Sequence, residues 1–113
     1  ISVGGEPWLV AVAETPDLRS QGLMFVTDLE DLDGMVFVFD RTARWAFWMK
    51  NTLIPLDIAF FAEDGSLITV LTMVPCGEQE RCPTYGPEED SRYALEAPLG
   101  ALADLDPAAR LEL

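Results

Sequence analysis

RWAFWMKNTLIPLDIAFF, from Arg44 to Phe61, carries the only lysine of the chain, Lys50, seven residues ahead of an aspartate, Asp57, set in an apolar run. Read as two strands joined by Asn51 to Leu56, the segment forms an antiparallel pair with Lys50 opposite Asp57. Trp48 then faces Ala59, Ala46 faces Phe61 and Arg44 faces Glu63, so large meets small and plus meets minus along one face. On the other face Met49 meets Ile58, Phe47 meets Phe60 and Trp45 meets Ala62. A slip by one residue would expose a whole apolar set, which argues for this register. Asp64-Gly65 next reads as a two-residue type I′ turn. Counting along that second hairpin places Thr72 beside Asp57, Val70 beside Ala59 and Ile68 beside Phe61.

Working outward, Trp8 to Ala13 is rich in strand formers. Thr15 then reads as an N-cap, Pro16 as the first helical residue, Asp17 as a dipole partner and Gly22 as the stop of a two-turn helix. Thr27 to Gly34 is an acidic loop, and Met35 to Phe39 an apolar run short enough for a strand buried on both faces. Ser91 to Ala97 alternates as a strand, Leu99 to Leu105 suggests a short helix, and Arg110 to Leu113 a closing strand. Many short strands with one or two short helices and no βαβ rhythm predict an all-β fold, a mostly antiparallel sandwich or barrel. With 113 residues, residues 1–113 are expected to make a single domain.

Twenty acidic residues against seven basic ones give a formal charge of -13. Such a surface repels phosphate backbones and argues against a nucleic-acid partner. No apolar run reaches the roughly 20 residues of a membrane-spanning helix. The first residue is Ile1 rather than methionine, which reads as an N-terminus cut by a signal peptidase or by design. Cys76 and Cys82 are the only two cysteines and enclose a polar loop. With no histidine anywhere, a zinc site is disfavoured, and a disulfide in an oxidising compartment is the expected pairing. A periplasmic or secreted location follows from that expectation.

Thr15-Pro16, Gly22-Leu23-Met24, Gly34-Met35, Phe47-Trp48-Met49-Lys50-Asn51-Thr52, Pro55-Leu56-Asp57-Ile58-Ala59-Phe60 and Tyr93-Ala94-Leu95-Glu96 with Gly100 together resemble the DUF192 family, also called UPF0127. The resemblance runs nearly the length of the chain. It implies a small, mostly β bacterial or archaeal protein, often exported, with no established biochemical activity. Asp106-Pro107-Ala108-Ala109 departs from the Gly-Asp pair that members tend to carry before the last strand.

The candidate site is the Trp48, Lys50, Asn51, Thr52, Asp57 and Thr72 group: an aromatic platform, a cation, and a carboxylate to orient it. Its expected task is non-catalytic binding of a small polar ligand, sugar-like or carboxylated, or of an envelope component, with no cofactor. The alternatives are a structural or interaction module in which Lys50 and Asp57 merely close a hairpin, and a soft Cu(I) site built from Met24, Met35 and Met49. Methionine is more often a flexible core filler. A hydrolase is the weakest alternative: without histidine no Ser-His-Asp set exists, and nothing fixes the separation of a carboxylate pair such as Asp57 with Glu96. Arg92 and Glu96, on one face of their strand, read as cross-strand surface partners.

Overall fold

A computed structural model describes residues 1–77 and 81–113. The interior of the Cys76 to Cys82 loop, Glu78 to Glu80, lies outside the described residues. Among the described residues, ten strands and one helix follow in the order β1 (Ser2–Val3), β2 (Glu6–Pro7), β3 (Val10–Ala13), α1 (Pro16–Gln21), β4 (Gly34–Ala43), β5 (Phe47–Trp48), β6 (Leu56–Phe61), β7 (Leu67–Met73), β8 (Thr84–Tyr85), β9 (Ser91–Pro98) and β10 (Leu111–Glu112). The mostly β fold holds, as open sheets rather than a closed barrel.

The central sheet has the order β3-β4-β9-β6-β7. Strand alternation sends its side chains to two faces. On one, Val36, Ala59, Phe61, Leu95 and Ala97 pack with Val3, Leu102 and Leu111, under the three-stranded sheet β10-β1-β2. On the other, Phe37, Phe39, Ile58, Phe60 and Ala94 pack with Leu23, Met49 and Cys76. All six residues of β6 are buried, because this strand has neighbours on both edges and cover on both faces.

The helix forms where its caps predict. Thr15 Oγ1 accepts the Leu18 N–H at 3.2 Å, Pro16 opens the first turn, and Gly22, with φ of 49°, closes it. The strands around it do not follow the expected antiparallel pattern: β3 and β4 are parallel. Parallel neighbours need a crossover, and α1 with the loop after it supplies one, so β3, α1 and β4 form a βαβ unit.

The β6–β7 hairpin pairs Asp57 with Thr72 and Ala59 with Val70, as the count predicts, but pairs Phe61 with Leu67 rather than Ile68. The reason lies in the turn. Ala62 N–H donates to Ser66 O and Gly65 N–H to Ala62 O, both at 2.9 Å, which makes a three-residue loop with Gly65 at φ of 88°. That geometry is a type I turn with a glycine bulge. Asp64 stabilises it by accepting from Ser66 N–H at 2.9 Å and Ser66 Oγ–H at 2.6 Å. The extra residue shifts the register by one.

The pairing of Arg44–Lys50 with β6 does not occur. β6 spends one edge on β7 and the other on β9, so no edge is left for a third partner. Only Phe47 and Trp48 of that segment are in a strand, and they pair with Tyr85 and Thr84 of β8. Residues 99–105 are not an α-helix either. Ala101 N–H to Pro98 O, Ala103 N–H to Gly100 O and Leu105 N–H to Leu102 O close successive four-residue β-turns. The β1–β2 hairpin, turned by Gly4 and Gly5 at φ of 59° and 82°, and its pairing with β10 complete the second sheet.

Candidate functional site

A cavity of about 440 Å³ opens between α1, the segment after it, β4, β5 and β8. Its walls are aromatic. Phe39 and Trp45 stack with centroids 4.2 Å apart and planes 8° from parallel, and Phe37 meets Phe47 edge to face at 4.9 Å. Trp45 is fixed further by its Nε1–H, which donates to Arg41 O at 3.1 Å. Trp48, 47% exposed, also lines the cavity.

Cations stand against three of these rings. The Arg19 guanidinium lies 5.4 Å from the Phe39 centroid, that of Arg41 lies 5.6 Å from Trp45, and Lys50 Nζ lies 5.4 Å from Trp48. Ring quadrupoles attract cations at such distances. Arg19 is anchored besides by donating to Glu14 O and Val38 O, each at 3.0 Å, and by a 3.5 Å ion pair with Asp40.

The floor holds Glu96. On β9 it lies between Met35 of β4 and Ile58 of β6, on the face of the sheet that carries the aromatic side chains. It is 4% exposed. Its carboxyl forms no hydrogen bond and no ion pair with the described residues. Among those residues Ser91 Oγ is the one side-chain polar atom sealed from solvent without a partner, so the unpartnered Glu96 oxygens open into the cavity that Glu96 lines. Burial alone pushes its pKa up to about 8, since desolvation disfavours the carboxylate and no cation compensates it. Glu96 is thus predominantly an uncharged acid at neutral pH. The surface pairing expected for it is corrected accordingly: Arg92 instead pairs with Glu63 at 3.0 Å and donates from Nε to Phe39 O at 2.6 Å.

The residues singled out in the sequence divide between the two faces. Trp48 and Thr52 line the cavity, and Lys50 stands beside Trp48 at its edge. Asn51 turns the chain there with φ of 58°, donating from N–H to Gly77 O at 2.9 Å and accepting the Phe25 N–H at 2.8 Å. Phe25 itself has φ of 64° and an exposed ring. Asp57 and Thr72 lie on the far face. Asp57 Oδ2 accepts the N–H groups of Gly100 at 3.0 Å and Leu102 at 3.2 Å, and Oδ1 accepts the Thr72 hydroxyl at 3.4 Å. Asp57 therefore braces the turns after β9, and Asp57 and Glu96 point to opposite sides of the sheet. Met24 lines the cavity, while Met49, 1% exposed, belongs to the apolar cluster against which Met35 packs. Cys76 and Cys82 are bonded, with Cα atoms 5.8 Å apart, next to the Lys50–Gly77 bridge.

Arg19, the Phe37, Phe39 and Trp45 walls and the Glu96 floor were not legible as a site. The usable signal was a charge inside an alternating strand with apolar or small neighbours, Ala94-Leu95-Glu96-Ala97. In a central strand such a charge has no solvent-facing side.

A mostly β protein with one sheet covered on both faces, and an aromatic cavity floored by a buried acid, is the class these features define. The chain belongs to the DUF192 family, described as an uncharacterized ACR, whose pattern matches residues 1–112. Among solved structures it is similar to a protein from Sinorhizobium meliloti 1021 provisionally called a transcription regulator. That match has 36% identity and a TM-score of 0.80, over 91% of this chain and 79% of the other. It is also similar to a protein of unknown function from Novosphingobium aromaticivorans DSM 12444, at 31% identity and a TM-score of 0.80, over 92% of this chain and 74% of the other. No curated protein matches the chain.

Proposed function

We propose that this protein binds a small polar ligand, without catalysis, in the cavity between α1, β4 and β5. The observation that carries this reading is the Glu96 carboxyl, buried, unpartnered and open to an aromatic-walled space. Burying an unsatisfied polar group is costly, and a ligand that bonds it would recover part of that cost. Trp48 offers a half-exposed ring for a sugar or planar body to stack on, with Lys50 and Thr52 beside it. A carboxylate pair acting together is disfavoured, because Asp57 and Glu96 face opposite ways.

The Cys76–Cys82 disulfide supports a periplasmic or secreted location, where such bonds persist. No described helix is long and apolar enough to cross a membrane. The charge of -13 argues against a nucleic-acid partner for this chain.

The test is a thermal-shift screen of sugars, sugar acids and small carboxylates, with Trp48→Ala as control. A ligand present at 100 times its dissociation constant stabilises by about 2.7 kcal/mol, and Trp48→Ala, at an exposed position, should fold and lose most of that gain. If no compound shifts the wild-type transition, the cavity is inert and the block serves only the fold.

A further inference from the structure

We infer that the cavity selects an anionic ring compound, an aromatic or sugar acid, whose negative group lies among the cations of the ring walls and whose far end carries an oxygen that accepts a hydrogen bond from Glu96. This inference rests on the cavity being a ligand site and names the ligand's chemical class.

The first argument is the distribution of charge. Among the described residues, Glu96 is the one acidic residue that lines the cavity, and Arg19 is the one basic residue that does. Arg41 and Lys50 stand on two further wall rings, so three of seven basic residues in a chain of net charge -13 gather at this feature. Glu96 apart, the described carboxylates of this strongly acidic molecule stay out of the cavity lining, and three cations stand around it, Arg19 sharing its charge with Asp40. Opposite charge then concentrates an anion there against the overall field.

The second argument is the floor. An anionic ligand could not approach a carboxylate at close range, but the acid form of Glu96 is uncharged and has one O–H to donate. Among the described residues no charged group compensates it. α1 contributes Arg19, held by Asp40. β8 contributes Tyr85, whose hydroxyl accepts the Val74 N–H at 3.4 Å. β4 and β6 meet Glu96 with Met35 and Ile58.

The experiment is calorimetric titration of the whole chain with 4-methoxybenzoate, 4-methoxybenzyl alcohol and 4-methoxybenzylamine at pH 7 and pH 9. The three share a ring and an ether oxygen that can only accept, and they differ in the charge at the other end. The anion is expected to bind about tenfold or more tightly than the alcohol at pH 7. With Glu96 titrating at about 8, its acid fraction falls about tenfold between pH 7 and pH 9, and affinity for the anion should fall about tenfold with it. Glu96→Gln keeps a donor without the titration, so its affinity should be flat across that range.

Equal binding of the three probes would overturn the charge assignment while leaving the cavity a ligand site. Tightest binding of the amine, strengthening with pH, would overturn it in favour of a cationic ligand. A pH profile unchanged by Glu96→Gln would remove Glu96 from the contact and overturn the inference. No heat with any probe, together with an empty thermal-shift screen, would overturn this inference and the ligand reading beneath it.

Discussion

The Asp57 carboxylate accepts the Leu102 N–H at 3.2 Å, and through this bond and its partner to Gly100 the central sheet holds the turns that follow β9. Both amides are tied to a charged acceptor that is 3% exposed. Hydrogen bonds to charged groups contribute about 1.5 to 3 kcal/mol each. Asp57→Ala is therefore expected to destabilise by about 3 kcal/mol in urea denaturation, and Asp57→Asn, which keeps one acceptor oxygen, by about half of that. Neither should change binding in the cavity on the opposite face.

Lys50 and Asp57 are predicted to be energetically independent. Lys50 stands against the Trp48 ring on one side of the sheet, and Asp57 is bonded to backbone amides on the other. A double-mutant cycle with Lys50→Met and Asp57→Asn should give a coupling below about 0.5 kcal/mol. A coupling of several kcal/mol would restore the hairpin pairing that the structure replaces.

Glu96 makes stability depend on pH, with a sign opposite to that of an ion-paired carboxylate. Its folded pKa of about 8 lies above the ordinary value of 4.5, so the native state holds a proton that the unfolded chain gives up. Stability is fully present below pH 4.5, falls as pH rises toward 8, and levels off beyond. At about 1.4 kcal/mol per pKa unit the loss reaches up to about 5 kcal/mol. Urea midpoints measured from pH 5 to pH 9 should show the decline, and Glu96→Gln should remove most of it.

Reduction of Cys76–Cys82 should lower stability by about 2 to 3 kcal/mol on the loop-entropy model. The bond lies beside Gly77, which receives the Asn51 N–H at 2.9 Å. Loosening it is expected to weaken ligand binding as well. Melting curves with and without a thiol reductant check the first effect, and titration with the best compound of the screen checks the second. Thiol titration of the unfolded, unreduced chain should find no free sulfhydryl.

What the sequence disclosed was mostly local. Thr15, Pro16 and Gly22 define α1 because a helix end is decided by residues three or four apart, and Asp57 meets Thr72 because one short hairpin joins them. Of the Trp48 block, Trp48 and Thr52 line the cavity. The failures were non-local. Phe47 and Trp48 find their partners at Tyr85 and Thr84, far along the chain, and complementary side chains in β6 offered a nearer pairing that was sensible in isolation. It failed because β9 already held that edge. Glu96 was misplaced for the same reason. Whether an alternating strand shows one face to water depends on its neighbours, and those are set by distant segments.

β6 divides its side chains between two masters. Ile58 and Phe60 pack behind the cavity, and Asp57, Ala59 and Phe61 pack beneath the three-stranded sheet. Substitutions at even and odd positions of this one strand therefore answer to separate selective pressures. A lineage could reshape the packing behind the cavity through the even residues while the odd ones keep the scaffold unchanged. Among relatives, variation along β6 should accordingly follow a two-residue beat.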